Sequence, residues 1–247
     1  MKSLFITLFL FVSFVVSTIG ADITNGVFYA DNPVECHLIA QSGVTITNQL
    51  GAGKTYMVEN AIVEMSISNK TVFYFAGGPM IEVGPKSTFS INLFDQEVKN
   101  LKSSPRKAEF GNHNISLTFT MGEFSVIYLG NEYSSLVIST PFVSYLLNGG
   151  KYLIRLSDKS VIAYVLEGAM QVHSDKKVDN TPKGSLAVAI PFSDPASGVE
   201  DRVVTSIKTL KAEETERFAS PILLAEKKWA DVQFFVIGGR VIGIWMK

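Results

Sequence analysis

The fold is decided by residues 114–121, which read NISLTFTM. Apolar and polar side chains alternate along this stretch, with Ile115, Leu117, Phe119 and Met121 between Asn114, Ser116, Thr118 and Thr120. Successive side chains of a β-strand point to opposite faces, so the pattern predicts a strand with one face on a core and one in water. The same alternation recurs at residues 63–68 and 88–93, which makes strands the dominant element.

Turn signals separate these strand patterns at short intervals. Glycine-rich or proline-containing turns occur at residues 77–79, 84–85 and 149–150. Short strands punctuated at roughly 8–12 residues are typical of all-β proteins. More continuous apolar runs, at 136–138 and 161–166, suit strands that are covered on both faces. We therefore expect an all-β, solenoid-like or sandwich domain of short antiparallel strands.

The C-terminal third departs from this pattern in two stretches. Residues 175–201 carry three prolines among Asp, Ser and Lys, and they predict a surface connector with one short strand at 186–192. Residues 210–229 are rich in helix formers. Pro221 forbids one uninterrupted helix there, so we expect two short helices or one helix kinked at Pro221.

The composition sets the broad class. The 247 residues are 47% hydrophobic and 18% charged, which supplies a core and argues against disorder. Lys plus Arg number 22 and Asp plus Glu 23, so the formal net charge is -1. Nucleic-acid binding draws on a surplus of basic charge, and this balance argues against a dedicated nucleic-acid binder. The one cysteine, Cys36, cannot form an internal disulfide.

Residues 1–20 have the layout of a targeting signal. Lys2 provides a short positive region, residues 4–16 form an almost unbroken apolar run, and small residues ending in Gly20 follow. This layout predicts a signal peptide cleaved after Gly20, and hence a periplasmic or secreted protein. The alternative is a retained anchor helix, although the apolar stretch is about one turn shorter than the roughly 20 residues that span a bilayer.

Five sequence elements occur in an order that is shared with a known family. They read NAIVEMSI, MIEVGPKSTFSI, EFSV, ISTPFVS and VIAYVLEGAMQV, at residues 60–67, 80–91, 123–126, 138–144 and 161–172. Together they resemble the FecR-type extracytoplasmic β domain over residues 51–173. The resemblance implies an all-β domain outside the cytoplasm. One element departs from the family, since its Arg-Gly-Thr is replaced here by Asn148, Gly149 and Gly150.

The resemblance also suggests how the chain is divided. Known members are transmembrane regulators with a cytoplasmic segment that controls a sigma factor; here the hydrophobic run begins at residue 4, and we expect no anti-sigma segment. Apolar runs at 232–237 and 241–245 around two glycines predict a terminal hairpin. The expected division is a signal peptide at 1–20, an N-terminal β extension at 21–50, a FecR-like β domain at 51–174, a connector at 175–201, and a helical segment with a hairpin at 202–247.

Residues with catalytic or metal-binding chemistry are present but do not form a recognised motif. Glu64, Glu82 and Asp95 lie on predicted strands, and two carboxylates about 5–10 Å apart could cleave glycosidic bonds. Residues 35–37, Glu-Cys-His, are ligand types without the paired spacing of a zinc site. The loop GAGKT at 51–55 lacks the first glycine of the phosphate-binding pattern. We expect no catalytic residue, no bound cofactor and no metal site.

Two groups of residues form the predicted interaction surface. A basic stretch around Ser103–Ser104–Pro105 is either a site for anionic polymers and lipid headgroups or a solvated loop. Several tyrosines in the second half of the β domain are either a binding platform or ordinary strand residues. The candidate surface residues from both groups and the nearby glycine turn are Lys102, Arg106, Lys107, Tyr145, Asn148, Lys151 and Tyr152.

These observations predict an exported, non-enzymatic binding module of the bacterial cell envelope. Its expected partner is an envelope protein or a glycan, with no nucleic acid, and with a membrane only if the N-terminal segment is retained. The second hypothesis is a membrane-anchored subunit of a signalling or transport regulator that keeps its N-terminal helix. The third is a carboxylate-dependent hydrolase, which requires that folding bring two acids together in a cleft.

Overall fold

The computed structural model describes residues 22–40, 45–52, 55–57, 61–100, 108–130, 133–174, 177–194, 199–229, 232–237 and 240–246. These residues are mostly β, with a single small helix near the C-terminus, so the predicted all-β class is confirmed. Several strands are longer than the spacing of turn signals predicts. The longest, β10, continues for 21 residues from Ala108 to Tyr128.

Within the described ranges, sixteen strands form one mixed sheet, and two more form a separate hairpin. The strands of the sheet are β1 Asp22–Asn25, β2 Val27–Ala30, β3 Val34–Ala40, β4 Thr45–Leu50, β5 Thr55–Met57, β6 Ala61–Ile67, β7 Thr71–Phe75, β8 Met80–Val83, β9 Ser87–Asn100, β10 Ala108–Tyr128, β11 Ser135–Ser139, β12 Ser144–Ser157, β13 Ser160–Ser174, β14 Lys177–Pro182, β15 Ser185–Asp194 and β16 Val199–Thr209. The helix α1 spans Ala212–Trp229. The hairpin strands are β17 Val232–Ile237 and β18 Arg240–Met246.

The sheet folds over itself into two layers that share β10, β12 and β13. The helix-side layer has the order β16-β15-β13-β12-β10-β8-β7-β2-β5. The open layer has the order β14-β13-β12-β11-β10-β9-β6-β3-β4, with β1 beside the far end of β9. Among the described pairs, β10 and β11 run parallel and the others antiparallel. The first and second parts of each shared strand belong to different layers. The first parts of β10 and β12 and the second part of β13 lie in the open layer.

Glycines mark the places where the shared strands pass between the layers. In β12, Gly149 and Gly150 have positive φ angles of 80° and 140°, and the opposite position in β13 is Gly168 with a φ of 82°. A Cβ on Gly150 would lie 2.1 Å from the carbonyl oxygen of Glu167. No other residue type fits such a backbone contact, so the glycines fix the bend.

The main hydrophobic core lies between the two layers. Phe73 on β7 packs edge to face on Phe89 of β9, with 5.0 Å between the ring centroids. Phe75 on β7 makes the same kind of contact with Phe94 on β9, at 5.5 Å. These strands do not pair with each other, so the contacts join one layer to the other. Each fully buried aromatic or aliphatic side chain of this kind contributes about 1.5–3 kcal/mol to folding.

The predicted connector at 175–201 is corrected by the structure. Instead of one short strand it contains β14, β15 and the start of β16, and all three belong to the large sheet. Pro182 ends β14, which pairs with β13 at the border of the open layer. A strand at the border of a sheet tolerates proline and charged residues, because one side of its backbone needs no partner strand.

The C-terminal elements agree with the predicted types. One helix contains Pro221, rather than two short helices, and the terminal hairpin forms from β17 and β18. In the part of the chain that the structure describes, no helix is long and apolar enough to cross a bilayer. The predicted signal peptide at 1–20 lies outside the described residues.

Candidate functional site

The two outer faces of the sheet carry different chemistry. The helix α1 packs on the outside of the helix-side layer, where Ile222 and Ala225 are fully buried. They join a second, smaller core with sheet residues that include Tyr29, Tyr74 and Leu153. We call this surface the covered face. The outer side of the open layer is called the open face.

A buried carboxylate fastens the end of α1 to the covered face. Glu82 on β8 is only 3% exposed, and its two oxygens bind two different lysines. Lys70, from the turn before β7, lies 2.5 Å from Glu82 Oε1. Lys228, in the last turn of α1, lies 3.1 Å from Glu82 Oε2. A buried carboxylate is stabilised only when it is paired in this way, so Glu82 has a structural role.

Asp31 extends the same charged group. Its Oδ1 accepts hydrogen bonds from the backbone N–H of Val72, at 2.8 Å, and from the side-chain amide of Asn32, at 3.2 Å. Burial raises the pKa of Asp31 above its ordinary value, while the Val72 N–H and the charge of Lys228 oppose that shift. The covered face therefore holds two carboxylates and two lysines at the C-terminal end of α1.

Two further contacts fasten the rest of the helix. Lys151 on β12 binds Glu226 of α1 at 2.8 Å and Glu167 of β13 at 3.0 Å. The Arg155 guanidinium lies 5.3 Å from the centre of the Phe218 ring in α1. Cation–π contacts of this geometry add about 0.5–1 kcal/mol at partly exposed sites. The covered face is thus occupied by the chain's own helix.

The open face carries a row of hydroxyl groups across four neighbouring strands. Ser90 of β9 lies opposite Thr118 of β10, Thr118 lies opposite Ser139 of β11, and Ser139 lies opposite Ser144 of β12. We call these four residues the hydroxyl row. With strands about 4.8 Å apart, the row is about 14 Å long. The side chains are half-exposed, and the Ser139 and Ser144 hydroxyls lie 3.2 Å apart.

A β-bulge in β9 inserts an amide into this row. The pairing of β9 with β10 shifts between Ser116 and Leu117, which leaves Asn92 as an extra residue. Its Nδ2 donates to Thr118 Oγ1 at 2.7 Å, and its Oδ1 accepts from Ser90 Oγ at 3.0 Å. Bulges occur preferentially where a strand must re-aim a side chain, often beside functional sites.

An apolar row runs beside the hydroxyl row. Leu93, next to the bulge, is 44% exposed and lies opposite Ser116 of β10, which lies opposite Val137 of β11. Val137 in turn lies opposite Leu146 of β12. We call Leu93, Val137 and Leu146 the apolar row. It is two residues, or about 7 Å, along the strands from the hydroxyl row.

The centre of the open face is uncharged. The outward positions on β10, β11 and β12 are Asn114, Ser116, Thr118, Thr120, Ser135, Val137, Ser139, Ser144, Leu146 and Asn148. Soluble surfaces typically carry roughly 30% charged residues, so this composition departs from an ordinary solvated face. Charge returns at the margins, with Glu64 opposite Ser90 and Asp95 opposite Asn114.

The predicted interaction residues that the structure describes do not form one surface. Lys102, Arg106 and Lys107 lie outside the described residues. Asn148 is exposed on the open face, at the end of β12 that precedes the glycine bend. Lys151 follows the bend and is therefore on the covered face, where its amine is paired with Glu167 and Glu226.

The predicted surface position is wrong for Tyr145 and Tyr152. Both are fully buried between the layers. Burial raises the pKa of both phenols well above the ordinary value. The Tyr152 hydroxyl hydrogen lies between the carbonyl oxygens of Gly149 and Ala169, at 2.6 Å and 2.9 Å from the hydroxyl oxygen, and this contact stabilises the glycine bend from the core side. Tyr145 precedes the glycine bend and Tyr152 follows it, and in each half of β12 the alternation points the tyrosine inward.

One buried polar pair lies beneath the open face. His113 of β10 is 3% exposed, and its Nε2 lies 3.1 Å from the Tyr128 hydroxyl. Burial lowers the pKa of His113, and a backbone hydrogen bond to Gly111 opposes that shift. Burial also raises the pKa of Tyr128 to about 12. The pair is therefore neutral in the folded chain near pH 7.

The acidic candidates for hydrolysis are separated. Glu82 lies on the covered face, whereas Glu64 and Asp95 lie on the open face. Glu64 lies opposite Ser90, five residues before Asp95 along the neighbouring strand, so roughly 15 Å separate these two carboxylates. Among the described residues, no group of three His, Cys, Asp or Glu could hold a metal ion. None of these three described carboxylates therefore forms the acid pair, about 5–10 Å apart, that the hydrolase hypothesis requires of them.

The chain was compared with known families, curated proteins and solved structures. No protein-family model matches it, and no curated protein matches it. Two crystal structures of candidate anti-sigma factors from Parabacteroides distasonis ATCC 8503 are similar in part. One has 12% identity and a TM-score of 0.35, covering 71% of this chain and 68% of its own. The other has 11% identity and a TM-score of 0.30, covering 74% and 99%. With values this low, the likeness assigns neither a family nor a function to the chain, and the FecR-type resemblance stays a prediction.

Proposed function

We propose that the chain is an exported, non-enzymatic interaction module of the bacterial cell envelope, and that it binds its partner through the open face. The observation that carries this proposal is the contrast between the faces. The covered face is filled by α1, whereas the hydroxyl and apolar rows remain half-exposed or exposed. The FecR-type resemblance of residues 51–173 suggests the same kind of role and belongs to this proposal.

The side chains of the open face are held in place before any partner binds, which supports its role as a rigid recognition surface. Its side chains stand on strands whose inward residues, such as Leu117, Phe119 and Ile138, are fully buried. The amide of Asn92 is held at both ends by hydroxyl groups of the row. A surface that is ordered before binding loses little conformational entropy when a partner arrives, which favours affinity.

In the alternative function the protein binds its partner through the same open face, but it is anchored to a membrane by its N-terminal segment. If residues 1–20 are retained, the open face would belong to a membrane-anchored subunit of a signalling or transport regulator. Intact mass of the protein from its native host separates the two forms. A mass without residues 1–20 in the soluble fraction supports the free module, and a full-length mass in the membrane fraction supports the anchored subunit.

The proposed function is tested by binding to envelope material from the native host. Thr118→Arg places a long charged side chain in the centre of the hydroxyl row, and Ser206→Arg makes the same change at an exposed position of β16 in the other layer. We expect the wild type and Ser206→Arg to sediment with the envelopes and Thr118→Arg to remain in the supernatant. Equal sedimentation of the two variants would overturn the proposal. Circular dichroism and urea unfolding check that both variants are folded.

A further inference from the structure

Resting on the proposed function, we infer that the open face binds an extended neutral polysaccharide. Two parallel rows carry this inference, the hydroxyl row with Asn92 and the apolar row. A pyranose ring presents hydroxyl groups at its edge and C–H groups on its faces. Polar and apolar rows about 7 Å apart offer a ring one surface of each kind.

The length of the rows suits a chain rather than a single sugar. The hydroxyl row spans four strands, or about 14 Å. Small ligands are usually held in concave pockets that bury most of their surface. A flat row instead repeats the same weak contacts along a polymer, and several such contacts acting together supply the affinity.

The charge pattern selects a neutral polymer. The outward positions on β10, β11 and β12 hold no Lys or Arg, so an anionic glycan would find no counter-charge there. The nearest charged side chains at the β9 margin are the carboxylates Glu64 and Asp95, which would repel it. A neutral hydroxyl-bearing chain matches the centre of the face and is not opposed by its margins.

The side-chain types favour a glycan over a protein. Protein interfaces are dominated by Trp, Tyr and Arg anchors that fill pockets on the partner. The described positions of the two rows contain Ser, Thr, Asn, Leu and Val instead. Short hydroxyl and amide groups both donate and accept hydrogen bonds, so each can adapt to the hydroxyl groups of a sugar.

The test uses the chain as its host produces it, with soluble neutral glucans and mannans as probes. Alginate and heparin serve as anionic comparators, and isothermal titration calorimetry measures binding. We expect a neutral probe to bind and the anionic ones not to bind. Asn92→Ala and the pair Thr118→Ala/Ser139→Ala should each weaken binding about tenfold, as expected for the loss of one or two net hydrogen bonds. Ser206→Ala, outside the rows, should leave binding unchanged.

The outcomes separate the inference from the proposed function. If no neutral probe binds, or if the row variants bind like Ser206→Ala, the inference is overturned. Envelope material is therefore also treated with periodate, which oxidises sugar diols, or with protease before the sedimentation assay. Loss of binding after periodate alone supports the inference. Loss after protease alone, still blocked by Thr118→Arg, overturns the inference and leaves the proposed function standing.

Discussion

The covered face and the open face belong to the same sheet, yet they use their outward positions in different ways. On the covered face, apolar side chains meet α1 and buried charges are paired across the contact. On the open face, small polar side chains bond to one another and remain accessible. We therefore expect the outward side chains of the covered face to contribute more to stability than those of the open face. The outward groups of the open face are then available for a partner.

The largest expected effect comes from a substitution that weakens the packing of α1 on the covered face. Ile222→Ala removes a fully buried side chain from the small core on the covered face. The free energy of unfolding should fall by about 3 kcal/mol. The variant loses the hydrophobic free energy of the removed side-chain atoms, and it leaves a cavity that the neighbouring residues fill only in part. Urea unfolding measures it. The matched control is Leu223→Ala, at a neighbouring position that is 48% exposed, which should cost less than about 1 kcal/mol. Equal losses would contradict the seating of α1 through Ile222.

The second prediction concerns the two lysines that pair with Glu82 on the covered face. Lys70→Met/Lys228→Met leaves the carboxylate 3% exposed and without the two lysines that bind it. We expect a loss of about 2 kcal/mol in the free energy of unfolding, since a buried charged group then lacks its hydrogen-bond partners. Lys227→Met, at an exposed position in the same helical turn, is the control and should be close to neutral. A double variant as stable as this control would show that Glu82 does not depend on the two lysines.

The third prediction concerns pH and the buried pair beneath the open face. The pKa of His113 in the folded chain lies below its ordinary value of 6.5, so the unfolded chain binds a proton first as the pH falls. The stability contributed by neutral His113 is complete above pH 6.5 and is lost as the pH falls through the folded-state pKa. His113→Gln should therefore lose less stability than the wild type between neutral and mildly acidic pH. Urea unfolding at a series of pH values measures the difference, and parallel curves would contradict the prediction.

The sequence predicts those parts of the fold that depend on the alternation of apolar and polar residues along one strand. Alternation over residues 114–121 predicts which side chains of β10 face the core, and the structure agrees from Asn114 to Thr120. The prediction is wrong for Met121, which is 42% exposed because the pairing with β9 shifts between Phe119 and Met121. What alternation cannot fix is which strand lies beside which. The hydroxyl row joins β9, β10, β11 and β12, and a register set by the bulge at Asn92 brings its members together. The sequence therefore predicts that these hydroxyl side chains lie on the polar face of their strands, but it does not predict that they align across four strands.

The missed elements have a physical cause in tertiary packing. Residues 177–182, KVDNTP, have weak strand propensity but pair with β13. Pro221 lacks a backbone donor, yet Ile222 and Ala225 are buried on the covered face in the same helix, and their packing offsets the lost hydrogen bond. Strict alternation along β12 would place Tyr145 and Tyr152 on opposite faces, and the glycine bend between them turns both inward. Such effects become visible only when distant segments meet.

The smallest expected effect is the sharpest test of the comparison. Thr118→Ala/Ser139→Ala removes two hydroxyl groups from the centre of the open face and exposes no core residue. The free energy of unfolding should fall by only about 1 kcal/mol, because β propensities in a host protein span about that much and both positions are half-exposed. Urea unfolding of this variant beside Ile222→Ala measures the contrast directly. A loss as large as that of Ile222→Ala would mean that the hydroxyl row stabilises the sheet as the covered face does. A small loss in stability combined with weaker binding would separate recognition from folding, since the same two substitutions would then affect the partner and not the fold.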